Sequence, residues 1–379
     1  MRTAIRTALL LALSTPVFAS DPVLPADPGV DKARIASAIA KGADFLVKDL
    51  DKTMKEYGWA SEGSQCDDVL ILYALVKAGG TQRPEFQQVL DHCLQRKLTR
   101  TYQAAVLAMA LEAHAPARHA GYIQNCAQYL IDSQCENGQW AYGKEANLPV
   151  PSLAPNQVAT PDAGAGTGTG AARGNTRAKT SLTRRGSGGE TGDNSNTQYA
   201  LLGLRACEDA GFKIPFDTWR KALSWWINSQ QEDGGWVYSP QTKENSYASM
   251  TEGGLGSLVI CMHFLQRGWK TEEHVSKAFS WIASHAEIPN NPIGRHGGKS
   301  GFEYYHLYAM ERAGMLTERE LFGKNKWYAE GAEFLFKSQG GDGAWHNGQQ
   351  FGHPVKDTCF AILFLTRATR PIVYSEPGR

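Results

Sequence analysis

The chain alternates two kinds of helical stretch, and that alternation constrains its fold more than any other feature. One kind is amphipathic, at about 32–50, 84–97, 117–134, 216–230, 272–286 and 326–339. The other is shorter, apolar nearly all round and rich in small residues. It runs from Asp67 to Lys77, Tyr102 to Ala113, Asn196 to Cys207, Thr251 to Leu265, Tyr304 to Ala313 and Asp357 to Ala368. A helix with one polar face lies at a surface, whereas one that is apolar all round must be covered all round. Strand-type alternation is scarce. The last three intervals between apolar helices are 52–55 residues, and an interval of 94 shrinks to 47 once an insertion at 146–192 is set aside. Hairpins of this kind cannot bury their own apolar faces, so they stack or close on one another. The spacing therefore predicts an all-α fold: an α/α toroid of six helical hairpins with inner and outer helix layers.

The expected domain runs over 20–371, with residues 372–379 as a C-terminal tail. Residues 146–192 are rich in Gly, Ala, Thr, Ser, Pro and Arg, as in Gly186-Ser187-Gly188-Gly189. Such a composition offers few core contacts against ordering entropy and predicts a disordered insertion. Residues 1–19 have another character: Arg2 and Arg6, an apolar run from Ala8 to Phe18, and the small-residue site Val17-Phe18-Ala19. That layout predicts a secretory signal peptide and an exported protein, periplasmic or extracellular. No run is long and apolar enough for a transmembrane segment. Lys plus Arg is 39 against 38 for Asp plus Glu, so no basic excess points to nucleic acid. The seven cysteines have no C-x-x-C spacing, and those in the apolar stripes read as small buried hydrophobes.

A second period marks the ends of three outer helices. Gln134, Gly138 and Trp140, then Gln230, Gly234 and Trp236, then Gln339, Gly343 and Trp345 repeat one spacing. Glycine permits the positive φ that ends a helix, glutamine can satisfy free backbone groups, and tryptophan covers the end with apolar area. These segments resemble the Q-x(2–5)-G-x-W repeat of the prenyltransferase and squalene-cyclase superfamily, and the resemblance covers the chain apart from the insertion. It implies an α/α toroid in which these residues are structural.

In such a toroid the N-terminal ends of the inner helices ring one mouth, where partial positive charge and free amides favour anionic groups. The residues there include Gln65, Asp67, Asp68, Asn196, Gln198, Glu252, Glu303, Tyr304, Tyr305, His306 and Asp357. Helix capping alone accounts for any single one of them, and their convergence carries the functional reading. Gln65-Cys66-Asp67-Asp68 resembles the D-x-D-D motif of class II terpene cyclases, with Gln in place of the first Asp. The resemblance puts Asp67 in the place of the acid that protonates an alkene or epoxide, chemistry that demands a dry, shielded cavity. Asp68 and His306 complete the candidate catalytic set, and the remaining mouth residues are candidate cavity-binding groups.

Other chemistries compete with this one. Tyr305-His306 and Asp357-Thr358-Cys359 resemble the zinc ligands of protein prenyltransferase β-subunits, but in reversed order. Cys359 and His306 read more simply as core and cavity residues, so no metal or other cofactor is expected. A polysaccharide-lyase reading would draw on Asn196, Gln198, Tyr304, Tyr305, His306 and Arg295 by residue type alone. The expected function is an exported, divergent squalene-cyclase/prenyltransferase-repeat protein that binds or transforms a small, terpenoid-like ligand. The alternative is a non-catalytic binding or scaffold module, whose partner would be another protein. If the leader is read correctly, the mature protein recovered from an export-competent host begins at Ser20, which intact-mass measurement checks. A mass corresponding to uncleaved Met1 or to a different start would overturn that reading.

Overall fold

The computed structural model describes residues 29–48, 50, 67–149, 151, 179–239, 245–293, 301–346 and 353–372. The leader, Gln65, Cys66, Arg295 and 373–379 lie outside the described residues.

Twelve α-helices are described: α1 (Lys32–Val47), α2 (Asp67–Lys77), α3 (Pro84–Gln95), α4 (Thr101–His114), α5 (Ala120–Ser133), α6 (Asn194–Asp209), α7 (Phe216–Asn228), α8 (Ala248–Phe264), α9 (Glu273–His285), α10 (Glu303–Thr317), α11 (Trp327–Ser338) and α12 (Pro354–Leu365). The even-numbered helices form a closed inner ring, each touching the next, with α12 returning to α2. The odd-numbered helices lie outside, α3 on α2, α5 on α4 and α6, and α11 on α10 and α12. This is the all-α toroid that the two helix types predict, and its inner helices are buried along most of their length.

Small residues let the inner helices approach. A Cβ on Gly203 of α6 would lie 2.5 Å from the Ala105 Cα of α4. On α8, a Cβ at Gly254 would meet Trp236 at 2.6 Å. Glycine inside a helix costs about 1 kcal/mol against alanine, and here the gain is contact between backbones.

The three Gln-Gly-Trp segments make the same set of bonds each time. Gln134 Nε2 donates to Gly138 O (3.1 Å) and to Thr218 O of α7 (3.0 Å). Gln230 repeats this with Gly234 O and His274 O of α9, both at 2.9 Å. Gln339 does so with Gly343 O and Ala38 O of α1, again at 2.9 Å. Each glutamine therefore closes its own turn and ties its outer helix to the next. Each indole donates back to a carbonyl of the helix just ended: Leu130, Trp226 and Leu335, at 2.7, 3.0 and 2.8 Å. Each tryptophan amide donates to a threonine of the following inner helix: Thr197, Thr251 and Thr358, at 3.0, 3.2 and 3.0 Å. All three tryptophans are completely buried, and their geometry is structural. The third copy joins α11 to α1 and closes the ring across the two ends of the chain.

One expectation needs correction. Of the supposed disordered insertion 146–192, residues 179–192 are packed onto the toroid. Thr180–Ser181 (β1) pairs in parallel with Phe212–Lys213 (β2), and Leu182 is buried. Asp132 Oδ1 accepts from the amides of Arg185 (2.6 Å) and Gly186 (3.0 Å), and Gly188 N donates to Gln134 O (3.1 Å). Arg184 donates to both Gln134 O and Gln134 Oε1. At the other end, Ala146 N donates to Leu98 O (3.0 Å) and Pro149 O accepts from Asn125 (2.7 Å). Composition missed this because backbone groups, paired to acceptors and donors on the toroid, hold the segment. Residues 152–178 lie outside the described residues. The six described cysteines are all buried and free.

The seam yields a paired test. Gly343 and Gly211 both have positive φ, 91° and 98°, but only Gly343 is crowded, its Cβ position lying 2.4 Å from Lys41 O. Gly211→Ala carries the backbone strain alone, about 1 kcal/mol. Gly343→Ala adds a clash with a fixed carbonyl and loses about 2–4 kcal/mol, read from urea unfolding. Equal losses for the two variants would show that the α11–α1 seam is not tightly packed.

Candidate functional site

Because the inner helices are all entered from one side of the ring, their N-terminal ends surround one mouth. Asp193 caps α6, its carboxylate accepting from Asn196 N (2.8 Å) and Asn196 Nδ2 (2.7 Å). Asn196 is thus a capping partner, although its own Oδ1 is buried without a partner.

Two carboxyl groups at the mouth are held in unusual states. Asp67 opens α2 and is 4% exposed. Burial raises its pKa to about 6, against the pull of Lys356 and with a further push from Asp68. Lys356 Nζ on α12 stands 3.8 Å from Asp67 Oδ1, which makes no hydrogen bond. Asp357 of α12 is also pushed up to about 6 by burial, opposed by His346, whose Nδ1 lies 3.6 Å away, and by the His353 amide. Both groups can gain or lose a proton near neutral pH, which suits acid–base work.

Asp68 behaves in the opposite way. Burial disfavours its charge, yet bonds from His92 and Arg96 prevail and hold it below the usual carboxylate range. Both partners belong to or follow the outer helix α3. Asp68 therefore anchors α2 to α3, and the adjacent positions of one motif serve different ends. Tyr304 is likewise turned outward, packing beside Phe334 of α11 with ring centroids 6.1 Å apart, so it does not line the cavity as expected. Glu303, one position earlier, is buried in the first turn of α10.

The remaining candidates converge on the barrel axis. Tyr305 OH lies 2.7 Å from Ser195 Oγ and accepts from Gln198 Nε2 at 2.8 Å. Tyr102 OH reaches the same Ser195. Gln198 Oε1 accepts from Arg312 Nη2 at 2.8 Å. One polar chain therefore runs from α4 through α6 to α10. Beside it, His306 Nδ1 and Glu252 Oε2 are 3.0 Å apart, both residues fully buried. Burial raises the Glu252 pKa, with His306 pulling against it. His306 thus faces Glu252, and Asp357 faces His346 and His353. Cys359 is buried near Asp67 and Asp357, its thiol pushed far up by burial. Among the described residues no group of three His, Cys, Asp or Glu side chains is arranged to hold a metal. The donors His306, Asp357 and Cys359 are therefore not gathered as a zinc set.

Sequence reasoning passed over Arg312. It is 2% exposed, and its guanidinium lies 4.3 Å from the Tyr308 ring centroid and 5.2 Å from that of Tyr199. The available signal was Glu311-Arg312, two adjacent charges in the apolar second half of an inner helix. The opposite mouth is crossed by residues 366–372. Glu311 accepts from Thr369 N (2.9 Å) and Thr369 Oγ1 (2.8 Å), and Arg205 donates to Arg370 O at 2.6 Å.

No family model matches the chain, and no curated protein matches it in sequence. Solved structures do. The type II terpene cyclase MstE from Scytonema superposes with a TM-score of 0.51 at 10% identity, over 89% of this chain and 99% of that one. A substituted variant of it in complex with its substrate geranylgeranyl dihydroxybenzoate gives the same score over 97% of that chain. A possible member of the GH105 family from Salmonella enterica serovar Paratyphi A has a TM-score of 0.53 at 11% identity, over 94% and 98%. The fold is a terpenoid-cyclase-like α/α toroid. No helix among the described residues is long and apolar enough to cross a membrane.

Asp67 provides a thermodynamic test. Its folded pKa lies above the unfolded value of about 3.9, so the folded state binds the proton more tightly. That contribution is present at low pH and lost as pH rises through about 6. Asp67→Asn removes the penalty, so the variant gains on the parent between pH 4 and 7, by at most about 2–3 kcal/mol. Urea unfolding across that range measures it, and a variant whose stability relative to the parent stays constant or falls as pH rises would contradict the raised pKa.

Proposed function

We propose that this is an exported toroid that takes a small ligand through the N-terminal mouth, with Asp67 as the acid there. The observation that carries the reading is Asp67 itself, shielded and free of hydrogen bonds at one carboxyl oxygen, with a pKa near neutrality. A carboxyl in that state keeps a protonated fraction near neutral pH that an ordinary surface aspartate lacks. The cyclase neighbour, whose substrate is a prenylated dihydroxybenzoate, supports chemistry inside such a barrel.

The interior favours a ligand with polar groups over a bare hydrocarbon. Arg312 already covers the tyrosine ring faces that would otherwise stabilise a carbocation, and its charge repels one. The Gln65 replacement also removes a neighbouring acid from the D-x-D-D pattern. These two features support the second reading, a binding module without turnover. Support for a lyase weakens, because Tyr304 is turned away from the axis.

The test is to incubate the protein with geranylgeranyl dihydroxybenzoate and with an organic extract of its host, following products by mass spectrometry. If Asp67 is the acid, Asp67→Asn lowers turnover by about 100-fold or more while the fold survives. Turnover unchanged in that variant would remove Asp67 from the chemistry. Retention of a ligand by both proteins with no conversion would favour the binding module.

A further inference from the structure

We propose that residues 366–372 are a proton-operated strap across the C-terminal rim of the toroid, fastened by Glu311 in its neutral form and released when that carboxyl ionises. The inference concerns the rim opposite the candidate acid and is independent of the chemistry at Asp67.

The strap touches most of the inner ring. It leaves α12 at Arg367, whose left-handed conformation (φ 47°) turns the chain, and Ala368 N donates back to Leu363 O at 3.1 Å. Beyond that root its bonds go to other inner helices. Tyr73 of α2 donates to Ala368 O at 3.4 Å. Arg205 of α6 donates to Arg370 O at 2.6 Å and to Pro371 O at 3.1 Å. Arg370 pairs with Glu112 of α4 at 2.8 Å, and Thr369 meets Glu311 of α10. Ala368, Thr369 and Ile372 are buried. With Arg370, the first two roof a cavity of about 40 Å³ between α2, α4 and α6. A fixed turn at the end of a helix, followed by a segment held through side chains, is the geometry of a hinge.

Glu311 is the fastening most sensitive to a proton. Both of its carboxyl oxygens are on the strap, Oε1 accepting from Thr369 N at 2.9 Å and Oε2 from Thr369 Oγ1 at 2.8 Å. The residue is fully buried, and Arg312, beside it in sequence, is bonded to Gln198 instead. A buried carboxylate is costly. The neutral form keeps both contacts, since one oxygen still accepts from the amide and the other donates to the threonine hydroxyl. Burial accordingly pushes the Glu311 pKa up to about 7, opposed by the Thr369 bonds, Arg312 and Lys77. Lys77 and Tyr73 face it from α2, and Arg312 and Tyr308 from its own helix. Glu112 of α4 and Arg370 of the strap act beside Tyr73, and Arg205 of α6 is engaged with strap carbonyls. On α12 the residues after Asp357 are uncharged. On α8, His263 lies toward Arg205 and Asp209, and Tyr328 of α11 is bonded to Leu365 O.

The direction of the response follows from where the carboxyl is drier. With the strap lifted, Glu311 meets water and returns toward the ordinary glutamate value of about 4.3. The closed form, at about 7, binds the proton more tightly. Its advantage is complete in acid and is lost as pH rises through that interval. The equilibrium constant for opening therefore rises about 10- to 100-fold between about pH 5 and pH 8. Burial raises Glu112 as well, against Arg370, so its titration adds with the same sign. Opening joins the cavity under Thr369 to solvent and uncovers Tyr73, Met109 and Leu202.

The experiment follows amide hydrogen exchange in the full chain from about pH 5 to pH 8, corrected for the intrinsic rate, at Thr369 and its strap neighbours. Protection at Thr369 is expected to fall about 10- to 100-fold as pH rises, while amides inside α4 do not follow it. Glu311→Gln mimics the neutral carboxyl, with one acceptor and one donor, and cannot ionise. Its Thr369 protection should stay near the acid value of the parent and lose most of the pH dependence. An equal fall in parent and variant places the switch outside Glu311 and overturns the proposal. Protection that is constant or increases with pH in the parent makes the carboxylate the fastened form, and the proposal fails. Should Glu311→Gln not fold, the parent still decides the matter. The carbon-13 carboxyl resonance of its Glu311 must titrate near pH 7, in step with the loss of Thr369 protection. A midpoint below about 5, close to the ordinary glutamate value, overturns the latch.

Discussion

A glutamine side chain that joins two outer helices is the bond on which the toroid depends. Gln134, Gln230 and Gln339 each span from their own turn to the next outer helix. In the same segment, a tryptophan amide fastens the turn to a threonine on the inner helix that follows. Each segment thus holds three elements at once, and buried amide and carbonyl groups that water cannot reach are paired. The Gln339 copy has a special place because it reaches Ala38 near the start of the chain. Without it, α1 would be held to α11 and α12 by apolar contact and by the exposed Arg34–Glu333 pair at 3.2 Å, and the closing seam would lose its buried directional bond.

Closure produces the electrostatic character of the interior. Six inner helices with their N-termini at one rim gather helix-end amides and capping acids there. The same burial that stabilises the apolar flanks makes ionisation of Asp67, Asp357 and Glu252 expensive. Asp68 escapes this by reaching outward to His92 and Arg96. Two adjacent aspartates consequently differ in acidity because one faces α12 and the other faces α3. The opposite rim is crossed by residues 366–372, with Arg205 and Glu311 holding that segment by its backbone and by Thr369.

The helix layers were legible because burial leaves a direct trace in composition. Asp67 to Lys77 and Thr251 to Leu265 are apolar on every face, and only an inner layer surrounded by other helices tolerates that. The Gln-Gly-Trp spacing was legible too, since a repeated turn needs the same three residue types each time. Less of the site could be read. Asp68 and Tyr304 share the polar mouth composition, yet one position of helical rotation turns each away from the axis. The Gly- and Arg-rich stretch 179–192 carries no hydrophobic pattern, and its order comes from acceptors on Asp132 and Gln134, distant in sequence.

The sequence by itself determined the layers, the number of hairpins and the turn chemistry, because those follow from local periodicity and from residue types that only certain backbones accept. Tertiary structure alone decided which polar residue meets which. Arg312 illustrates the difference. In the sequence it is one arginine after a glutamate inside an inner helix. In the folded ring it lies among Tyr199, Tyr305 and Tyr308 and is bonded to Gln198, 114 residues away. Pairings across the axis depend on helix rotation and on the ring's closure, and neither is encoded within reach of any single segment.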